Sequence, residues 1–154
     1  MSFIKGLALQ VKPKNVKQRK IQMKLIEEIK LDNGLKLKIY DLSRSIAANT
    51  VKVEISFQTK ISLKESFFTE KQDFALVKNI MGDELAYEHK LERSFVPEEN
   101  EDSVRDDLVN TFKTNSLDYL ASVNFPRKMA LSLLKDIKKN PYKYQSHANS
   151  DPEE

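Results

Sequence analysis

Between residues 51 and 63 the chain alternates almost without exception. Val51, Val53, Ile55, Phe57, Ile61 and Leu63 take the odd positions, broken only by Thr59, while Lys52, Glu54, Ser56, Gln58, Lys60 and Ser62 take the even ones. Successive side chains of a strand point to opposite faces, so a period of two sustained this long specifies a β-strand with one apolar and one polar face. The apolar face needs a cover, and it makes a slip of the neighbouring strands costly, because one residue of slip turns every apolar side chain to water. The polar face is expected to be wet.

Partner strands are legible on both sides of this segment. Met23, Leu25, Ile29 and Leu31 share one strand parity, interrupted by Glu27, and Leu35, Leu37 and Ile39 share another beyond Asp32-Asn33-Gly34. Asn33-Gly34 tolerates the positive φ of a tight primed turn, so the two runs read as a β-hairpin. A short strand is expected within Phe3–Val11, before Pro13 blocks regular pairing. Leu85, Tyr87, His89 and Leu91 alternate with Ala86, Glu88, Lys90 and Glu92, which predicts another strand ending near Phe95-Val96-Pro97. The stretch from Asp41 to Thr50 exceeds a tight turn and is expected as a long connection that sets Asp41, Ser43 and Arg44 near one end of the sheet.

Helical signals lie between and after the strands. Thr69 and Gln72 are spaced as a capping box ahead of Phe74, Val77, Ile80 and Met81, and Gly82 supplies a stop. Acids at 98, 99, 101 and 102 precede Val104, Leu108, Phe112 and Tyr119, so negative charge meets the positive end of a helix expected over 101–120. Pro126 suits a first helical position. Met129, Ala130, Leu133, Leu134 and Ile137 then form a stripe, Lys138 and Lys139 occupy the last turn, and Pro141 closes it. Strands, helix, strand and helices in that order predict an α+β fold: an antiparallel sheet of about four to five strands with three helices packed on one face. At this length a single domain is expected over 1–141, with 1–20 as a loose basic arm and 142–154 as a flexible tail.

Composition narrows the function classes. There is no cysteine, which removes thiol nucleophiles, disulfides and thiolate zinc sites, and the only histidines are His89 and His147. Gly6, Gly34 and Gly82 are far apart, so neither a dinucleotide fingerprint nor a phosphate loop is present. The acids at 98–107 lack the glycine and terminal glutamate of a calcium loop and read as a solvated helix start. No cofactor or metal is expected. The opening FIKGLALQV is too short, and too soon followed by lysines, for a signal peptide or a membrane span, so the expectation is a soluble, cytoplasmic protein with no membrane partner.

Charge is divided unevenly. Residues 1–63 carry 13 Lys and Arg against 5 Asp and Glu, whereas 64–154 carry 13 against 18. Such a division suits an acidic partner, or complementary surfaces meeting within or between copies of the chain. The leading expectation is a small non-enzymatic protein-interaction domain that binds a protein partner or self-associates. The alternative is a nucleic-acid-binding module in which Lys12, Lys14, Lys17, Arg19 and Lys20 meet phosphates, weakly and with strong salt dependence. No aromatic side chain stands among those cations to stack bases, although Tyr142-Lys143-Tyr144 either adds stacking or covers the core. A third reading is a ligand cleft around Arg44 and His89, even though Asp41, Ser43 and Arg44 are explained as turn hydrogen bonds and a local ion pair.

Overall fold

The computed structural model describes residues 22–144. It shows an α+β fold with an antiparallel five-stranded sheet. The strands are β1 (Lys24–Lys30), β2 (Lys36–Asp41), β3 (Arg44–Ala47), β4 (Thr50–Ser62) and β5 (Glu84–Pro97). The α-helices among the described residues are α1 (Lys71–Met81), α2 (Glu101–Ala121) and α3 (Phe125–Lys139). The expected strand within Phe3–Val11 and the arm 1–20 lie outside the described residues. Two compact units result, one holding residues 22–59 and 86–122, the other 60–85 and 123–144, and both β4 and β5 contribute to each.

In the first unit β4 is the centre of the sheet. Its odd side chains Val51, Val53, Ile55 and Phe57 are fully or almost fully buried. Phe112 of α2 stacks on Phe57 with ring centroids 3.8 Å apart and planes 9° from parallel. Leu108, Val109 and Leu120 bury the same side of α2. Tyr119, expected in that stripe, is mostly exposed, because the turn of the helix brings Leu120 inward instead.

The stretch 41–50 is not a loop. β2 pairs with β4 from Lys38↔Gln58 to Asp41↔Ile55, and β3 continues the same ladder from Arg44↔Lys52 to Ala47↔Thr50. β2 and β3 are therefore one bent arm along one edge of β4, turned back by Ala48 and Asn49, where Asn49 adopts a φ of 55°. The sequence alternation is lost at Leu42-Ser43, which is why this arm reads as a connection. β5 takes the other edge of β4.

The hairpin from β1 to β2 forms with a different turn from the primed one. Leu31 N–H donates to the Leu35 carbonyl at 2.8 Å and Gly34 N–H to the Leu31 carbonyl at 2.9 Å, so the loop has three residues. Only Gly34 takes a positive φ, of 93°. The Asn33 side chain is thereby released, and its Nδ2 donates to the carbonyls of Leu120 and Ser122 at 2.7 and 2.8 Å. These are carbonyls that the end of α2 leaves without helical partners.

A β-bulge between Leu25 and Glu27 also corrects the expected parity of β1. One extra residue turns the strand over. Glu27 and Ile29 pair with the buried Ile39 and Leu37, whereas Leu25 pairs with Tyr40. Glu27 is tolerated on the helix side because both its oxygens accept from Lys113 Nζ at 2.9 Å.

In the second unit α1 and α3 pack together. The capping box does not form: Glu70 is the N-cap of α1 and makes no side-chain cap bond. Gly82 ends the helix at φ 88°, donating to the Lys78 carbonyl at 2.8 Å. The predicted stripe of α3 is buried throughout. Residues 141–144 form a further helical turn rather than loose chain, and Tyr144 is buried. Its hydroxyl donates to Asp136, which also accepts from Lys143 and Asn140.

The Tyr144 hydrogen bond is the main reason the Asp136 carboxyl lies below its ordinary range, while burial first, and that carboxylate second, push the Tyr144 hydroxyl up. A depressed carboxyl pKa stabilises the fold above the unfolded value of about 3.9 and loses that contribution as pH falls through the folded one. Tyr144→Phe is thus expected to cost about 1–2 kcal/mol at neutral pH. The difference from wild type should shrink in strong acid, as read by thermal melts across pH. Phe112→Ala removes the ring stacked on Phe57 and should cost about 3–5 kcal/mol in urea denaturation.

Candidate functional site

The polar face of β4 is not simply wet. Ser56 has no exposed surface and the Glu54 side chain retains 10%. Their burial is compensated by a layer of partners from the flanking strands. Arg44 Nη1 donates to Glu54 Oε1 at 2.7 Å and to the Leu42 carbonyl at 3.0 Å. Lys90 Nζ lies 3.6 Å from Glu54 Oε2 and 4.0 Å from Glu88 Oε2. Ser56 Oγ donates to Glu88 Oε2 at 2.6 Å, and Gln58 Nε2 donates to Ser56 Oγ at 2.9 Å. Lys52 meets Glu92 at 3.2 Å. A buried charge survives only when it is paired in this way.

The same network repairs the joint between β2 and β3. Leu42 N–H donates to the Glu54 carbonyl at 2.8 Å as a ladder bond should. The return bond from Glu54 N–H goes to Ser43 Oγ at 3.1 Å, and Ser43 N–H is taken by Asp41 Oδ1 at 2.9 Å. Arg44 covers the released Leu42 carbonyl. Asp41, Ser43 and Arg44 thus complete a kinked ladder.

Arg44 and His89 are not brought together. Arg44 stands on the polar face with Glu54, whereas His89 lies on the opposite, helix-covered side, its ring 5.8 Å from that of Phe112. Nearby Tyr87 is pushed up to about 12, by burial first and by Tyr119 second. Lys12, Lys14, Lys17, Arg19, Lys20 and His147 lie outside the described residues. Among the described residues no group of three or more His, Asp or Glu side chains gathers as a metal site would. Nor is any helix there long and apolar enough to cross a membrane.

A second polar feature is a groove of about 530 Å³ between β1 and α2, lined by Lys24, Ile26, Glu27, Asp41, Arg105 and Lys113 among others. Glu27 and Lys113 close one end, and Arg105, 3.8 Å from Asp41 and 3.1 Å from Asp102, closes the other. Glu27, Asp41, Arg105 and Lys113 are already engaged in ion pairs, which lowers what they offer to a small charged ligand.

The surface that sequence reading missed lies beside this groove. Met23, Leu25 and Ile26 are 53%, 48% and 36% exposed, although the first two are expected to share a face with Ile29 and Leu31. The bulge, invisible in the residue pattern, is the cause. No protein-family model, curated protein or solved structure matches this chain.

Glu54→Gln removes the charge that neutralises Arg44 and Lys90 and is expected to cost about 2 kcal/mol. Replacing Arg44 and Glu54 together by Met and Leu should cost less than the two single changes summed. A double-mutant cycle in urea checks this.

Proposed function

We propose that this chain is a non-enzymatic protein-interaction domain whose contact surface is the outer edge of β1 with its exposed apolar side chains. The observation that carries the reading is the coincidence of two exposures on one strand. Among the described residues β1 hydrogen-bonds only to β2, and the same segment presents Met23, Leu25 and Ile26 to solvent. An unpaired edge is a template for another chain, with backbone bonds giving affinity and alternate side chains giving selectivity.

Two features support a restricted partner rather than indiscriminate pairing. The bulge and the charges of Lys24, Glu27, Glu28 and Lys30 interrupt a flat edge. The polar face of the sheet is a poorer contact surface, because its charges are paired and a partner would have to desolvate them.

Placing a photo-crosslinking benzoylphenylalanine at position 25 in cells should yield discrete adducts, while the same residue at exposed position 135 yields none. Equal labelling from both positions, or none from 25, would contradict the proposal.

A further inference from the structure

Asn33 is the only asparagine of the chain that a glycine follows. Such a pair is chemically reactive in water. With no side chain on the second residue, nothing hinders its backbone nitrogen from reaching the carboxamide carbon of the first, and glycine has the conformational freedom to present it. In the reaction the Gly34 nitrogen bonds to Asn33 Cγ as the Cγ–Nδ2 bond breaks. Nδ2 leaves as ammonia, taking up the Gly34 amide proton, and a five-membered succinimide closes. Water then opens the ring on either side of its nitrogen and leaves an aspartyl or an isoaspartyl residue. No electrons are transferred, and water is the only co-reactant.

The fold engages both reacting groups elsewhere. Three hydrogen bonds fix the Asn33 carboxamide: Nδ2 donates to the carbonyls of Leu120 and Ser122 at 2.7 and 2.8 Å, and Oδ1 accepts from Leu35 N–H at 3.2 Å. The attacking nitrogen is held as well, since Gly34 N–H donates to the Leu31 carbonyl at 2.9 Å. Both must be released before the ring can close. Gly34 itself is exposed, so water reaches the loop.

The product does not suit the place that the amide occupies. A carboxylate cannot donate, and it sets negative oxygen against two carbonyl oxygens at the negative end of a helix whose last turn carries no basic residue. Isoaspartate also adds a methylene to the main chain of a three-residue loop closed by bonds of 2.8 and 2.9 Å.

We propose that Asn33-Gly34 is a site of spontaneous deamidation gated by the fold. While the β1–β2 loop is seated on the end of α2 the site is silent. When the two part, the site reacts, and its product opposes their return. The tie between hairpin and helix is thus a one-way latch that records opening.

The test is peptide mapping by mass spectrometry on the full chain, aged at one pH and temperature in buffer and in guanidinium chloride. Conversion at Asn33 should be about 10–1,000-fold slower in buffer, the factor that three net hydrogen bonds impose. In denaturant Asn33 should convert faster than every other asparagine, each of which is followed by a residue with a side chain. Leu120 is fully buried at the end of α2. Leu120→Val should speed conversion in buffer and Leu120→Ala should speed it further, at least tenfold, while both keep the wild-type rate in denaturant. Asn33→Asp, which copies the aspartyl product, should melt about 5–10 °C below wild type. Equal rates in buffer and denaturant, no conversion at Asn33 in denaturant, folded Leu120 variants that convert no faster than wild type, or an Asn33→Asp variant that melts with wild type would each overturn the proposal.

Discussion

The first unit depends on β4 being satisfied on every side. One edge takes the bent arm of β2 and β3, the other takes β5, the odd side chains meet α2, and the even ones meet a layer of ion pairs. Each arrangement constrains the next. Burying Phe57 under Phe112 fixes the register, because a one-residue slip would drive Ser56 or Gln58 against the ring. That register in turn sets Lys52, Glu54 and Ser56 against Glu92, Lys90 and Glu88. Burial of large side chains on one face is worth roughly 1.5–3 kcal/mol each. The polar layer contributes mainly by avoiding the desolvation cost of unpaired charge on the other.

How much of this was legible depended on whether the signal was local. The β4 alternation, the β5 alternation and the stripe of α3 all repeat over several turns or residue pairs, and the structure contains those elements where expected. The hairpin was legible too, but its loop type was not, since Asn33 turns its side chain to carbonyls at the end of α2, about ninety residues later in sequence. The arm at 41–50 looked like a loop because Ser43 and Arg44 replace backbone groups with side-chain ones. The capping box at Thr69 had the right spacing yet lost to a start at Glu70.

The surface was harder to read than the core. Glu88, Lys90 and Glu92 run in complementary order to Lys52 and Glu54, so the ion-paired layer was in principle visible once the two strands were paired. Met23 and Leu25 could not be placed outside from sequence, because a bulge reverses parity without leaving any residue signature. Nor does the sequence around Phe95 announce a left-handed backbone, since phenylalanine is the wrong residue for it and the conformation is imposed by its anchored neighbours.

Among the described residues both faces of the sheet in the first unit are covered, while β1 pairs with β2 alone and leaves its outer edge open. The central claim, a proposal, is that this edge of β1 is the contact surface for another protein. Amide hydrogen exchange of the full chain, purified and again in cell lysate, addresses it most directly. The account predicts that protection rises in β1 in the lysate while β4 is unchanged. Protection of β1 that is the same in both, or that rises only elsewhere, would contradict it.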